Sequence, residues 1–208
     1  MKIENKSLKD KIQNQILESI FASEFKPQQI LTEKALIDRY GCSKSPVREA
    51  LVSLCSDGVL RNIPRCGYEV IRLTRDDIDE ILNYRLILES GFLKSCYHNI
   101  TENQLIKLEE LDLICNQKSN HLKDHWESNC NFHLYLISCS GNQFAYNELK
   151  RSLAILYRAY AQYYWMTWKD DLLPSDVATH KEIITSIRNK NLDNIERLLA
   201  IDLDDFGK

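Results

Sequence analysis

The segment that begins at Gly41 constrains the fold of this chain more than any other part of its 208 residues. Glycine there favours the left-handed backbone that ends a helix, and Pro46 is tolerated only in the first turn of the next helix. Val47, Ala50 and Leu54 then recur at helical spacing, so the second helix has an apolar side that packs inward. The segment therefore predicts two helices joined by a tight turn.

The neighbouring residues extend this pair into a small domain. Apolar periodicity predicts an amphipathic helix over about 7–23 and places the helix before the turn at about 32–40. After the third helix the period changes to that of two short strands, 59–63 and 68–73, which are joined by a turn. Three helices followed by a β-hairpin form a winged helix-turn-helix, and we predict this domain over 1–73.

Hydroxyl groups and cations cluster at the start of the third helix. A helix N-terminus offers free N–H groups and partial positive charge, which suit phosphate oxygens. Arginine and lysine in the major groove can also recognise guanine, and a hairpin tip can reach the minor groove. The pattern therefore predicts a protein that binds double-stranded DNA. The predicted DNA contacts are Lys34, Ser43, Lys44, Ser45, Arg48, Arg65 and Gly67.

The charge distribution agrees with a DNA-binding front part. Residues 1–75 hold 13 Lys and Arg against 9 Asp and Glu, a net charge of +4, whereas residues 76–208 have a net charge of −7. Phosphates would attract the first part and repel the second. The alternative is that three helices and a hairpin form an ordinary structural unit whose basic residues simply face solvent.

Composition excludes several classes of protein. With only 6 Gly and 4 Pro, an all-β or disordered chain is disfavoured. No apolar run approaches the ~18 residues of a membrane span, and the charged start does not resemble a secretory signal. The seven cysteines include no C-x-x-C pair, so we interpret them as reduced thiols of a cytoplasmic protein, with redox sensing as the alternative.

The front part resembles the GntR family of bacterial transcription regulators. Their signature is Leu-x-Glu-x-x-Leu, a Gly, Ser-Arg-x-Pro-Val-Arg-Glu-Ala-Leu, Leu-x-x-[Asp/Glu]-Gly, and a wing that contains Gly. In this chain these elements are residues 31–36, Gly41, residues 43–51, residues 54–58 and Gly67. Lys44 stands where the family usually has Arg, and the loss of the planar fork implies a different operator sequence.

The remainder of the chain is predicted to be helical. From Thr74 onward there is no strand pattern, and capping and stop signals divide residues 74–208 into six helices. They begin near residues 74, 101, 123, 144, 175 and 191, the fifth with Ser175 as its cap. Short loops between such helices predict an antiparallel bundle, so the chain as a whole is mainly α.

Polar residues interrupt the apolar stripes of this bundle. Asn129 and His133 are four apart and share one helix face, while His180 and Asp202 lie on the last two helices. Two imidazoles, a carboxylate and an amide that converge could hold a divalent metal, with water or a ligand carboxylate at open positions. The alternative is that each is an ordinary, partly buried polar residue. His125 is predicted at a solvated helix start.

The bundle is similar to the ligand-sensing domain of the FadR subfamily, in its shorter, six-helix, VanR-like branch. The resemblance rests on Arg85 with Glu89, residues 129–133, Ser-Gly-Asn at 140–142, His180 and Asp202. That domain usually has Asp at position 129 and His at position 202. The resemblance implies one divalent ion, such as zinc or nickel, in each subunit, with affinity weakened by the departures at Asn129, whose amide is a neutral donor, and at Asp202. The alternatives are a harder cation or no metal.

The same resemblance implies an effector site. Arg85 would bind the carboxylate of a small organic acid, and Arg158 is a second candidate for that cavity. The alternative for Arg85 is an ion pair with Glu89, one turn further along the helix.

These observations predict a transcription regulator rather than an enzyme. A homodimer would place two winged helices on a pseudo-palindromic operator, and a small acid bound in the bundle would control its affinity. One alternative is an iron oxygenase in which His133, His180 and Asp202 form a two-His-one-carboxylate triad, although no base or nucleophile is apparent nearby. Another is a helical adaptor with a vestigial DNA-binding part, which the charge division and Arg48 argue against.

Overall fold

The computed structural model describes residues 7–117, 122–163 and 179–204, without the side chains of residues 122, 123, 163 and 204. The predicted helix cap at Ser175 lies outside these ranges. The chain divides into two compact units, Met1–Thr74 with Tyr160–Tyr163 and Arg75–Ala159 with Tyr164–Lys208. None of the helices in the described ranges is long and apolar enough to cross a membrane.

The first unit is a winged helix-turn-helix, as predicted. Its elements are α1 (Leu8–Phe21), β1 (Ile30–Leu31), α2 (Glu33–Tyr40), α3 (Lys44–Ser56), β2 (Leu60–Ile63) and β3 (Gly67–Val70). The strands form one antiparallel sheet in the order β1-β3-β2. The sequence predicted only the β2–β3 hairpin, because a strand of two residues is too short to show an alternating pattern.

Local signals place the ends of the three helices. Ser7 and Asp10 form a capping box at the start of α1, in which each side chain accepts a hydrogen bond from the other residue's backbone N–H. Thr32 caps α2 by accepting a hydrogen bond from the Ala35 backbone N–H. Gly41 ends α2 in the left-handed conformation, with φ of 60°. The turn before α3 is therefore fixed by backbone chemistry.

An apolar core holds α3 against α1, α2 and the sheet. Its best-buried members, each at most 2% exposed, are Ile12, Ile16, Leu36, Val47, Ala50, Leu51, Leu54, Leu60 and Val70. Burying one such Val, Leu or Ile side chain stabilises a fold by about 1.5–3 kcal/mol. Because the inner side of α3 is committed to this core, its opposite side must face solvent.

Gly67 allows the close approach of two strands. It pairs with Ile63 of β2 and has φ of 135°, a conformation that side chains rarely adopt. A Cβ atom at this position would lie 2.5 Å from the backbone oxygen of Leu31 in β1. The absence of a side chain at Gly67 therefore has a reason inside the sheet, independent of any contact with DNA.

The second unit is built from six α-helices within the described residues, as predicted, and the end of the fourth of them, Tyr160–Tyr163, belongs to the first unit. They are α4 (Arg75–Cys96), α5 (Glu102–Cys115), α6 (Leu122–Ser138), α7 (Gln143–Tyr163), α8 (His180–Arg188) and α9 (Leu192–Asp204), with a short 3-10 helix at Tyr97–Asn99. Helix α4 packs on α6 and α9, whereas α8 packs on α5 and α9. Thr101 and Gln104 form the predicted capping box of α5.

The buried side of α4 differs from its apolar pattern. Apolar periodicity predicts a buried side made by Ile78, Ile81, Leu82, Leu86, Leu88 and Phe92, yet all of these except Ile78 are only partly buried. The fully buried positions are Ile78, Arg85, Glu89, Leu93 and Cys96. The helix is rotated because two charged residues occupy the centre of its inner side and have partners there, which a hydrophobic pattern does not reveal.

The Gly67→Ala variant should strongly destabilise the first unit. We expect it to cost at least about 3 kcal/mol, because a strained φ combines with a clash against backbone. Gly41→Ala is the matched control, since it shares a positive φ but has open space around a new Cβ, and should cost about 1–2 kcal/mol. Amide hydrogen exchange of peptides from α1 to β3 measures both losses, and equal losses would contradict the close approach at Leu31.

Candidate functional site

The outward face of α3 carries the predicted DNA-binding groups. The side chains of Lys44 and Arg48 are 69% and 66% exposed, so neither is packed beneath other groups. Ser43 is the exposed N-cap of α3, and its side chain makes no capping hydrogen bond. The Ser45 hydroxyl donates to a carboxylate oxygen of Glu49 at 2.9 Å. This end of α3 thus presents two cations and two hydroxyl groups to solvent.

The remaining predicted contacts lie on α2 and the wing. Lys34 is exposed on the first turn of α2, and Arg65 is exposed in the turn of the β2–β3 hairpin with φ of 65°. Gly67 is half-buried behind that turn. Six of the seven predicted residues are therefore exposed, while contact with DNA stays a prediction for all seven.

The structure adds residues to this face that the motif does not single out. An open groove of about 510 Å³ runs beside Arg48, and its lining comes from α1 as well as α3. The lining residues are Lys9, Ser45, Arg48, Glu49, Val52, Ser53 and Ser56. Val52 is 55% exposed on the outer side of α3, which the helical spacing from Arg48 could have indicated. Lys9 carries no sequence signal because only tertiary packing brings α1 next to α3.

A buried chain of ionic contacts lies in the second unit. The Nε atom of Arg85 is 2.9 Å from Oε1 of Glu89, and Oε2 of the same carboxylate is 2.7 Å from Nδ1 of His133. All three side chains are at most 2% exposed. The predicted alternative for Arg85, an ion pair with Glu89, is thus present. Glu89 also holds the imidazole of His133 in one orientation.

The chain of contacts continues to the last helix. Nε2 of His133 is 3.0 Å from Oδ2 of Asp202, whose other oxygen accepts a short hydrogen bond from the Thr179 hydroxyl. Nε2 of His180 lies 3.5 Å from Oδ1 of Asp202, and the His180 ring stacks on Phe132 with centroids 3.7 Å apart. Helices α6, α8 and α9 therefore each bring one polar side chain to a single point, and α4 supplies Glu89 on the other side of the His133 ring.

Charge pairing shifts the pKa values of these buried groups. Burial opposes the charged imidazole, but the carboxylates of Glu89 and Asp202 outweigh it and raise the pKa of His133 to about 9. The pKa of Glu89 is lowered despite its burial, because Arg85 and His133 stabilise its charge. The pKa of Asp202 is lowered too, as His133 outweighs the cost of burial. A charged imidazole at His133 can donate to both carboxylates, from Nδ1 to Glu89 and from Nε2 to Asp202.

The residues at this point suit a metal ion. His133, His180 and Asp202 each offer one ligand atom, and these atoms lie within 4.8 Å of one another. Neither ring nitrogen of His180 makes a hydrogen bond within the described residues, although the ring is fully buried. A buried polar group without a hydrogen bond is costly, and a metal ion would satisfy it. Glu89 on Nδ1 of His133 matches the carboxylate that commonly orients a metal-binding histidine.

The other predicted site residues are buried in the same unit. Asn129, 6% exposed, lies one turn before His133 on α6, as the predicted metal set requires. Arg158, on α7, is also 6% exposed. Its burial agrees with a position inside the unit, but its role as an effector contact stays a prediction.

Two further residues belong to this polar interior. Asp112 on α5 has Oδ1 at 3.6 Å from Nδ1 of His180, and it accepts a hydrogen bond from the Asn116 side chain. Its place in the apolar stripe of α5, between Leu108 and Cys115, is the sequence signal that could have found it. His125 is 7% exposed, so its predicted position at a solvated helix start is wrong. It lies one turn before Asn129 on α6, on the same face.

Comparisons with known proteins agree with both units. The family model described as "Bacterial regulatory proteins, gntR family" matches residues 8–70, and the FCD domain model matches residues 80–205. The chain is 28% identical to the uncharacterized HTH-type transcriptional regulator YdhC of Bacillus subtilis (strain 168), over 86% of this chain and 80% of YdhC. It is 24% identical to the HTH-type transcriptional repressor RspR of Escherichia coli (strain K12), over 88% of this chain and 79% of RspR.

A solved structure shows the same fold. E. coli McbR/YncC superimposes with a TM-score of 0.73 at 22% sequence identity, covering 96% of this chain and 94% of that one. Together with the two units, these matches define a DNA-binding transcription regulator with a helical ligand-binding domain. The chain belongs to the GntR family of bacterial regulatory proteins and carries an FCD domain. The prediction that it is not an enzyme is confirmed by relatives that are transcription regulators, which removes the support for an iron oxygenase.

Removal of the Glu89 charge should destabilise the second unit. Glu89→Gln removes the buried carboxylate that pairs with Arg85 and His133, and breaking one side of such a pair costs about 3–5 kcal/mol. Glu110→Gln is the control, since it removes the same charge from an exposed pair with Lys107 on α5 and should leave stability almost unchanged. Urea unfolding followed by circular dichroism measures the difference. Similar urea midpoints for the two variants would show that the buried Arg85–Glu89 pair does not contribute to the stability of the second unit.

Proposed function

We propose that this regulator binds its operator through the exposed face of α3 and the wing, and that a small organic acid controls its operator affinity. The acid would bind at the polar centre of the second unit, next to a divalent ion held by Asn129, His133, His180 and Asp202. The observation that carries the proposal is the convergence of ligand atoms from His133, His180 and Asp202. The ring nitrogens of the fully buried His180 make no hydrogen bond to any residue that the structure describes.

The proposed DNA contacts follow from exposure and charge. Arg48 and Lys44 lie on the solvent side of α3, in the positions from which arginine and lysine recognise guanine or bind phosphate. Lys34 and Arg65 would add phosphate contacts on either side. A homodimer would present two such surfaces to a pseudo-palindromic operator, and GntR regulators usually act as dimers.

The proposed metal ligands are two nitrogen donors and two oxygen donors. His133 and His180 supply nitrogen, Asp202 supplies a charged oxygen, and Asn129 supplies a neutral amide oxygen. These residues would hold the ion with Nε2 of His133 deprotonated, and the ion would supply positive charge that favours a carboxylate ligand. Glu89 would keep His133 oriented, and Arg85 would keep Glu89 charged.

An effector changes operator affinity only by as much as it binds the DNA-bound and DNA-free forms differently. A charged acid inside the second unit would contact cations and the ion at its centre. If those contacts differ between the DNA-bound and DNA-free forms, the effector binds one form more tightly and so changes operator affinity. The acid is proposed rather than a neutral ligand because two cations, Arg85 and Arg158, are buried in the same unit.

Arg48→Ala should weaken sequence-specific DNA binding. Loss of a bidentate contact to guanine costs about 1–3 kcal/mol, a reduction in affinity of about 5–150-fold. A duplex selected by the full chain from a randomised pool serves as the operator in a mobility-shift titration. Arg197→Ala removes an equal charge from an exposed position on α9 of the second unit and is expected to leave affinity unchanged. Unchanged affinity in Arg48→Ala would contradict the proposed surface.

The chain should bind one Zn²⁺ or Ni²⁺ per subunit, and the ligands should determine its affinity. His180→Ala is expected to weaken binding at least about tenfold, as losses at metal sites commonly do. Asn129→Asp should tighten it, because a charged oxygen replaces a neutral one. Elemental analysis and calorimetric titration of the chelator-treated protein measure both effects. His98→Ala, which removes an exposed histidine, is the control and should retain full metal content.

The effector is tested on the same proteins. A panel of small mono-, di- and tricarboxylates should raise the melting temperature of the zinc-loaded wild type, whereas the corresponding neutral alcohols should not. A carboxylate that binds equally well to His180→Ala without zinc would place the effector elsewhere.

A further inference from the structure

Among the ion pairs that the structure describes, one carboxylate contacts both cations of the proposed DNA-binding face, and it is that of Glu33. Glu33 is the first residue of α2, and its carboxylate reaches across to α3. Oε2 lies 3.5 Å from Nζ of Lys44, and Oε1 lies 3.8 Å from Nε of Arg48. Each oxygen of one carboxylate therefore faces one of the two exposed cations.

The arrangement is asymmetric in exposure. The Glu33 side chain is 26% exposed, whereas those of Lys44 and Arg48 are 69% and 66% exposed. The carboxylate thus lies behind the cations, on the protein side, and does not cover them. A fixed carboxylate can limit the positions that these long side chains sample without removing them from the surface.

The chemistry of arginine gives this contact a consequence for recognition. Glu33 approaches Arg48 at Nε, whereas bidentate recognition of guanine needs two N–H groups presented together in a rigid plane. A contact on one edge of the guanidinium turns that plane and lowers the entropy lost on binding. The negative charge of Glu33 also opposes phosphate, so it weakens binding to DNA of any sequence.

We propose that Glu33 is a positioning residue for operator recognition: it orients Arg48 and Lys44 for base contacts and reduces their binding to non-specific DNA. The proposal rests on the proposed DNA contacts of these two cations. The Glu33 carboxylate would thus have two opposite effects: it would raise affinity for the operator and lower affinity for DNA of any other sequence.

Glu33→Gln separates this role from a purely structural one. We expect its affinity for a scrambled duplex to rise about twofold to fivefold and its salt dependence to steepen by about one unit of slope. Affinity for the selected operator should fall or stay level, so that the ratio of specific to non-specific affinity drops at least about twofold. Glu18→Gln is the matched control, because it removes the same charge from an exposed position on α1. Glu33→Asp, which keeps the charge, should retain most of the ratio.

A double-mutant cycle with Arg48→Ala decides the mechanism. If Glu33 acts through Arg48, Glu33→Gln should lose most of its effect on the ratio in the Arg48→Ala background. An undiminished effect there, or a ratio in Glu33→Gln equal to that in Glu18→Gln, would overturn the positioning role. If Arg48→Ala alone leaves the ratio unchanged, the proposed DNA contact itself fails, which is a different result. Circular dichroism confirms that each variant is folded, and Glu33→Ala, which also removes the charge, carries the test if Glu33→Gln does not fold.

Discussion

The second unit depends on the pairing of charges in its interior. Arg85, Glu89, His133 and Asp202 come from three helices, and each is nearly inaccessible to solvent. An isolated buried charge would destabilise the fold by several kcal/mol, so these helices can pack only if the charges meet. The requirement sets the rotation of α4, whose inner side is polar at its centre. It also brings His133 to Asp202 and places both beside His180, which is how a structural constraint creates a candidate ligand site.

In the first unit, by contrast, the charged side chains lie on the surface. Its core takes the apolar side of α3, and the helix consequently presents Lys44 and Arg48 to solvent. Within the described residues, the ion pairs of these two cations involve only one carboxylate, that of Glu33. Exposed cations on a fixed helix suit phosphates and base edges, while buried and paired charges suit a small ligand or an ion. The two units thus differ in where they hold charge, the first on its surface and the second in its interior, which agrees with the proposed function.

Much of the fold was predictable, because its signals are local. Thr32, Gly41 and Thr101 act on neighbouring backbone groups, so the helix ends they predict agree with the structure. The site was predictable only in part. His133, His180 and Asp202 were expected to converge on the basis of a family resemblance, and they do. The burial of His125 and the contact of Asp112 with His180 were not expected, since both depend on how helices are rotated against one another.

The sequence alone determined the helices, the turn before α3 and the residue types available for chemistry, because capping, glycine conformation and apolar periodicity act within a few residues. Tertiary structure decided which polar groups lie inside and which partner each one has. Contacts such as Glu89 with His133, Glu33 with Arg48, or Gly67 against Leu31 join residues distant along the chain. Their distances are set by the packing of whole helices and strands, and no local pattern encodes that packing.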